Sequence, residues 1–413
     1  MVRSPPTPNV PGDKTGRIAK SRGAPQRGGG KMSDDQPRRK RSRTIRIGVL
    51  VAAVTLVAAA CSSSPGSAAT PAPAGDGTTT ATSAPVGDGT TSAPPTLSGT
   101  LNGAGATFPA PIYLEWIGAY QKQFPDVRVN YQAIGSGGGV QNFIQQTVDF
   151  AGTDAYLTDD ELAQASQNGT VYHIPTVFGA VVPAYNLPGV DGLTLDCDSL
   201  AGVFLGTITR WNDPAIADLN PQTTLPDQDI QIVHRSDGSG TTNAFTLYLD
   251  TCNPQWHDTV GYGKDVEWPV GVGGKGNDGV AAAISNTEGS LGYVELAYAT
   301  QTGLQITSMV NKSGNVIEAS LESTAAAADG VTFPDDLRFT LADTGAPQGW
   351  PIATATWILA YGNMAEDKAQ LLRSWLTWAL TEGDDAAMAL DYAPIPDSLQ
   401  ERALAFVNQI GAG

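Results

Sequence analysis

The chain is poor in the residues that carry most enzyme chemistry. Among 413 residues there are 3 histidines and 3 cysteines. His173, His234 and His257 are widely separated, no HExxH pair occurs, and no cysteine sits in a CxxC, so a metal centre has no ligand set in the sequence. No GxSxG elbow is present, and a serine nucleophile would have only three histidines to choose from as its base, which argues against serine hydrolysis. The glycine-rich "GSGGGV" (135–140) and "GVGGKGND" (271–278) both lack GxxxxGK followed by Ser or Thr, so neither is a nucleotide P-loop.

Positive charge is scarce where it would matter. Of 24 basic and 41 acidic residues, 13 basic and 3 acidic fall in residues 1–61, which leaves 11 basic against 38 acidic and a net of −27 beyond them. A body this acidic repels a phosphate backbone, so no nucleic-acid partner is expected. It suits a secreted, soluble protein. Long apolar runs are also lacking. "IGVLVAAVTLVAAA" (47–60) falls short of the roughly 20 residues a comfortable membrane span needs. It follows the basic "RRKRSRTIR" (38–46) and ends in small residues, the pattern of an export signal. "AAAC" followed by "SSSPGS" resembles a bacterial lipoprotein processing site, which implies a lipid-modified Cys61 as the first mature residue. Ala58 departs from that pattern, which usually has Leu there, and an ordinary signal peptide or a short membrane anchor is the alternative. Residues 1–31 form a basic, Pro/Gly-rich extension, and Met1 and Met32 are both candidate starts. An exported compartment permits a disulfide between Cys197 and Cys252; two buried, unpaired thiols are the alternative.

Small residues, by contrast, are plentiful: 47 Gly and 28 Pro. Residues 62–96 are almost entirely Ser, Thr, Pro, Ala and Gly, a composition that cannot bury a core and reads as a disordered tether. The folded body is expected from Leu97. "PAPIYLEWIGAYQKQF" (109–124) has apolar residues at helical spacing behind two prolines, and "GGVQNFIQQTV" (138–148) reads as a helix entered through glycines. "VRVNYQAI" (127–134), "VVPAYNL" (181–187), "DIQIVHR" (229–235) and "SLGYVELAYA" (290–299) read as strands or strand-to-helix passages. "MAEDKAQLLRSWLTWALTEG" (364–383) predicts an amphipathic helix ending at Gly383. Alternating elements predict an α/β fold with mostly parallel sheets, and about 315 residues suit two domains.

Four stretches put small, donor-rich residues where a helix is expected to start: "GAGATFPAP" (103–111), "GSGGGV" (135–140), "AGTDAYLT" (151–158) and "RSDGSGTTNAF" (235–245). A helix N-terminus offers free N–H groups and partial positive charge, and glycines let backbone approach an anion. Converging starts would make an anion cradle that needs few formal charges. Singly, each stretch has a plainer reading as a turn or an N-cap.

At these residues the chain resembles the PstS family, the substrate-binding lipoproteins of the bacterial high-affinity phosphate ABC transporter. The matching strings run in order through the body: "GAGATFPAPIY", "VNYQAIGSGGGVQ", "TVDFAGTDAYLTDDEL", "GTITRWNDPAI", "RSDGSGTTNAFTLYL", "GGKGNDGVAAAI", "GYVELAYA" and "LDYAPIPDS". The resemblance implies a type II, two-lobed periplasmic-binding-protein fold with two inter-lobe crossovers and the ligand in the cleft. The implied organisation is residues 1–61 as extension and signal, 62–96 as tether, 97–183 with 345–413 as the first lobe, and 184–344 as the second.

The resemblance also implies phosphate ligands at Thr107, Phe108, Ser136, Asp154, Arg235, Ser239, Gly240 and Thr241, with Asp237 holding Arg235. Gly137 departs from the family, where many members have a second Ser. Asn277 and Asp278 are expected to support the cradle without direct contact, and Trp211 to belong to packing. No cofactor, metal or catalysis is implied; the implied partners are inorganic phosphate, a membrane permease with its cytoplasmic ATPase, and the membrane itself through the lipid. Physically, Arg235 offers a two-pronged donor, while a carboxylate such as Asp154 repels an anion unless that anion has a proton to donate. Hydrogen phosphate has one; sulfate at neutral pH does not. Other anions (sulfate, molybdate, a phosphate ester), a surface adhesin or antigen on a binding-protein scaffold, and a phosphatase are the rival readings.

Overall fold

The computed structural model describes residues 97–412. The expected extension and signal (1–61), the lipid-bearing Cys61 and the tether (62–96) lie outside the described residues. The chain opens with strand β1 (Gly99–Gly105), helix α1 (Ala110–Gln123), β2 (Val127–Ala133), α2 (Ser136–Ile144) and β3 (Phe150–Thr153). Then come the short α3 (Asp159–Ala165), the long β4 (Val171–Asn186), α4 (Cys197–Phe204), β5 (Gln231–Arg235) and α5 (Gly240–Cys252). The sequence continues through β6 (Val272–Gly274), α6 (Gly276–Ser285), β7 (Ser290–Glu295), α7 (Leu296–Thr302), β8 (Ile352–Tyr361), α8 (Glu366–Glu382) and α9 (Asp397–Val407).

The eight strands form one sheet in the order β2-β1-β3-β8-β4-β7-β5-β6, to which shorter strands attach. Each wing is parallel: β1 pairs in parallel with β2 and β3, and β5 with β6 and β7. The centre is not. β8 is antiparallel to both β3 and β4, and β4 is antiparallel to β7. The expectation of mostly parallel sheets therefore holds for the wings and fails at the centre. The reason is β4 itself: residues 171–180 pair with β8 and residues 181–186 pair with β7, so one strand serves both wings. All ten residues of β8 are buried, as suits a strand covered on both faces.

Local chemistry explains the elements that place the site. In α1, Pro109 and Pro111 sit at the start, and Ile112, Tyr113, Trp116, Ile117 and Tyr120 recur on one buried face. The helix expected over 138–148 begins two residues earlier, at Ser136, and stops at Ile144. Over 290–299 a strand passes directly into a helix at Glu295, whose side chain caps α7 by accepting from the Ala297 N–H. α8 ends beside Gly383 as expected, but for another reason than a left-handed cap. Gly383 has φ −92°, its carbonyl accepts from the Trp116 indole, and a Cβ there would lie 2.4 Å from that ring nitrogen. Cys197 and Cys252 form a disulfide that ties the start of α4 to the end of α5. Trp211 is fully buried in packing, its indole donating to Gly289 O.

Candidate functional site

Four helix starts meet where the two wings face each other. Thr107 and Phe108 lead into α1, Ser136 opens α2, Ser239 caps α5, and Gly276 and Asn277 open α6. Three of these were expected. The fourth expected start, "AGTDAYLT", is different: Asp154 follows the end of β3, and the next helix, α3, begins only after its cap at Thr158. α6 takes its place in the ring.

Hydrogen bonds join the starts across the cleft. Gly137 N–H donates to Gly238 O at 2.9 Å. Thr107 Oγ1 accepts from the Asn277 backbone N–H at 3.2 Å and lies 3.0 Å from its side-chain amide, which also reaches Thr241 Oγ1 at 3.2 Å. Asn277 is therefore built into the ring, more closely than the sequence suggested. Its Oδ1 is fixed in turn by the Glu295 N–H. Gly135 has φ 89°, and a Cβ there would lie 2.4 Å from Asp237 Oδ2, so the α2 start needs glycine for both conformation and space.

Arg235 ends β5 with its guanidinium nearly sealed from solvent. Nε and Nη2 donate to the two oxygens of Asp237 at 2.8 and 2.6 Å, and Nη1 reaches Thr241 Oγ1 at 3.3 Å. Asp237 is further held by the Gly276 N–H. Burial alone would raise the Asp237 pKa, but the Arg235 pair and this N–H bring it below the usual carboxylate value. The pair leaves one edge of the guanidinium directed at the α5 start. Ser239 uses its oxygen to accept from the Thr242 N–H and its own N–H to reach Lys264 O, so its hydroxyl hydrogen is what it has to give a ligand. Among the described residues, the N–H groups of Phe108, Gly240 and Thr241 are not taken by a backbone carbonyl.

Asp154 sets a buried carboxyl amid these donors. It is 2% exposed; Thr356 Oγ1 donates to Oδ1 at 3.0 Å, and Ser136 Oγ lies 3.4 Å from Oδ2. Burial pushes its pKa up to about 7, against the pull of Thr356, of the Arg235 charge, of Ser136 and of the Thr241 N–H. Thr356 comes from β8, some 200 residues away, and nothing in the sequence marked it. Two of the histidines stand apart from this chemistry, while His234 adjoins Arg235, its Nδ1 lying 2.9 Å from Arg235 O. His173 is buried and accepts from the Leu157 N–H, burial lowers its pKa to about 3, and His257 is exposed beside Asp250. Among the described residues no group of three or more His, Cys, Asp or Glu could hold a metal ion. The arrangement offers donors from both wings to a small tetrahedral anion, plus one buried carboxyl that selects for a proton on it.

Comparisons with known proteins fit this geometry. Residues 90–382 match the PBP superfamily domain family. The chain is 42% identical over 312 residues to "Phosphate-binding protein PstS" of Pasteurella multocida, covering 74% of this chain and 89% of that protein. It is 42% identical over 303 residues to the protein of the same name from Haemophilus influenzae, covering 72% and 89%. Its fold is similar to that of a high-affinity periplasmic phosphate-binding protein solved with phosphate bound, with a TM-score of 0.61 at 22% identity over 74% of this chain and 93% of the other.

Proposed function

The chain belongs to the PstS family of phosphate-binding proteins, and from that premise we propose that it captures inorganic phosphate between its two lobes and hands it to an ABC permease for import. The family is one of substrate-binding transport proteins and not of enzymes. The observation that carries the reading is the buried Asp154 carboxyl inside a ring of donors. Thr107, Phe108 and Ser136 approach the anion from the first lobe. Arg235, Ser239, Gly240 and Thr241 approach from the second, with Asp237 fixing Arg235 and Asn277 joining Thr107 to Thr241.

Lobe closure completes the ring, so phosphate stabilises the closed form and the permease recognises that form. We place the first crossover where β4 passes from β8 to β7, between Ala180 and Val181. The return is placed before Phe333, earlier than the expected boundary at 344/345, because Leu337 O accepts from the Trp357 indole and Arg402 donates to Phe333 O. The first lobe then comprises β1–β3, β8 and the C-terminal helices, and the second comprises β5–β7 with α4–α7.

Calorimetric titration of the anion-free protein tests this. Phosphate is expected to bind tightly, and sulfate to give no heat at a pH well above the Asp154 value of about 7, where that carboxyl is ionised. A folded, anion-free protein that ignores phosphate would overturn the reading.

The N-terminal pattern extends the proposal to location. Residues 38–60 direct export, and Cys61 carries a lipid that holds the protein on the outer face of the cell membrane, with 62–96 as the tether. The protein should partition into the detergent phase from membranes and move to the aqueous phase on Cys61→Ser; a wild-type protein found only in the aqueous phase would refute the anchor.

A further inference from the structure

A second buried carboxyl lies outside the anion ring. Glu295 ends β7, is fully buried, and its Oε1 has no hydrogen-bond partner among the described residues. Its Oε2 accepts from the Ala297 N–H at 2.9 Å and lies 3.0 Å from the Tyr392 hydroxyl. That hydroxyl lies 2.6 Å from Phe108 O.

Counting hydrogens fixes the direction of these contacts. Phe108 O is a carbonyl and only accepts. The single Tyr392 hydrogen therefore goes to Phe108 O, the shorter contact. The contact with Glu295 then has a hydrogen only if the carboxyl supplies it. Burying a charged carboxylate in this dry core would also cost more than burying the neutral acid. Burial shifts the Glu295 pKa well above its ordinary value, in the same sense.

A second tyrosine completes the pattern. Tyr298, one turn along α7 from Glu295, donates to Thr107 O at 2.6 Å. Thr107 O and the Phe108 N–H belong to one peptide unit, and that N–H is a proposed phosphate donor. A hydrogen bond to the carbonyl polarises the unit and strengthens its N–H as a donor. Two consecutive carbonyls, those of Thr107 and Phe108, are thus pinned on either side of the working N–H. Tyr298 reaches Thr107 O from the second lobe, Tyr392 reaches Phe108 O from the first, and Glu295 of the second lobe reaches Tyr392.

We propose that Glu295, Tyr298 and Tyr392 form a brace that aims the Thr107–Phe108 peptide at the anion, with Glu295 acting as a hydrogen-bond donor to Tyr392. They are positioning residues for phosphate binding, and the proposal rests on the phosphate reading above.

The test compares Glu295→Gln, Glu295→Leu and Tyr298→Phe in the full chain, stripped of anion. Phosphate affinity is measured by calorimetry beside the melting temperature of each ligand-free variant. Glu295→Gln keeps a neutral donor for Tyr392, though its NH2 cannot also accept from the Ala297 N–H, a contact that Glu295→Leu loses as well, and it is expected to bind within about threefold of wild type. Glu295→Leu and Tyr298→Phe are each expected to weaken phosphate by about tenfold, the scale of one lost buried hydrogen bond. Binding as weak in Glu295→Gln as in Glu295→Leu would overturn the donor role. Unchanged affinity in Tyr298→Phe, whatever its melting temperature, would overturn the brace, and this variant keeps the test sharp if Glu295→Leu does not fold. Failure of the wild-type chain to bind phosphate would instead remove the receptor reading and the brace with it.

Discussion

Asp154 sets what the site accepts through the proton it lacks or carries. Its pKa, raised to about 7, means the carboxyl is ionised above that pH and holds a hydrogen below it. Ionised, it demands a protonated anion. Neutral, it can itself donate to a fully deprotonated one. Sulfate binding is therefore expected to appear as the pH falls through about 7, and calorimetric titrations on either side of that value would show it. Asp154→Asn carries a donor at every pH and should admit sulfate above neutrality, narrowing the phosphate-to-sulfate ratio by about ten- to a hundredfold. The same shift bears on stability. Because the folded pKa lies above the unfolded value, this group's contribution is full below the ordinary carboxylate range and is lost as the pH rises through about 7. Asp154, Arg235 and Asp237 were legible in the sequence through their short motif strings. Thr356 was not: its bond to Asp154 joins residues 202 apart, and "IATATWILAY" reads simply as a buried strand.

Among the elements, the helix starts do the holding, and their spacing leaves little slack. Gly240 opens α5 against the opposite lobe, where a Cβ would lie 2.6 Å from Asp154 Cβ and Oδ2. Gly240→Ala should therefore block full closure and cost about 1–3 kcal/mol of phosphate binding, about fivefold to 150-fold, with the melting temperature of the free protein little changed. Binding equal to wild type would show that the starts are not so tightly placed. At another edge of the cleft, Lys264 Nζ meets Glu161 Oε2 at 2.6 Å, both side chains mostly buried. Glu161 also completes the cap of α3, so Lys264→Met is the cleaner probe. It should cost about 1 kcal/mol of closed form and release phosphate roughly fivefold faster in stopped-flow measurements. The long amphipathic helices α1 and α8 were evident from their apolar spacing and flanking residues. The start of α6 was harder to see, because "GGKGNDG" carries glycine and a fitting N-terminus but no distinctive ligand; only its contacts with Thr107 and Thr241 bring it into the site.

For the molecule as a whole, the disulfide and the shared central strands decide how the lobes hold together. The Cys197–Cys252 bridge spans 55 residues that include the entire Arg235–Thr241 loop. In the chain-entropy view, a loop of that size stabilises by roughly 4 kcal/mol. Replacing both cysteines with serine should lower the denaturant midpoint accordingly, while phosphate still protects whatever remains folded. The two-lobed division was readable from the sequence. The antiparallel centre was not, since β4 and β8 are apolar nearly throughout and their pairing joins distant parts of the chain.

The direct bond from Gly137 to Gly238 and the shared donors of the ring carry one more consequence. A half-open cleft would give phosphate the contacts of one side alone, with Asp154 still facing it. On the proposed mechanism occupancy and shape are locked together, and each molecule answers the question of whether phosphate is present with a yes or a no. A partner touching only the outer rims learns the answer without meeting the ion. A graded response to scarcity must then come from counting molecules, as a vote is counted, and not from any one of them closing partway.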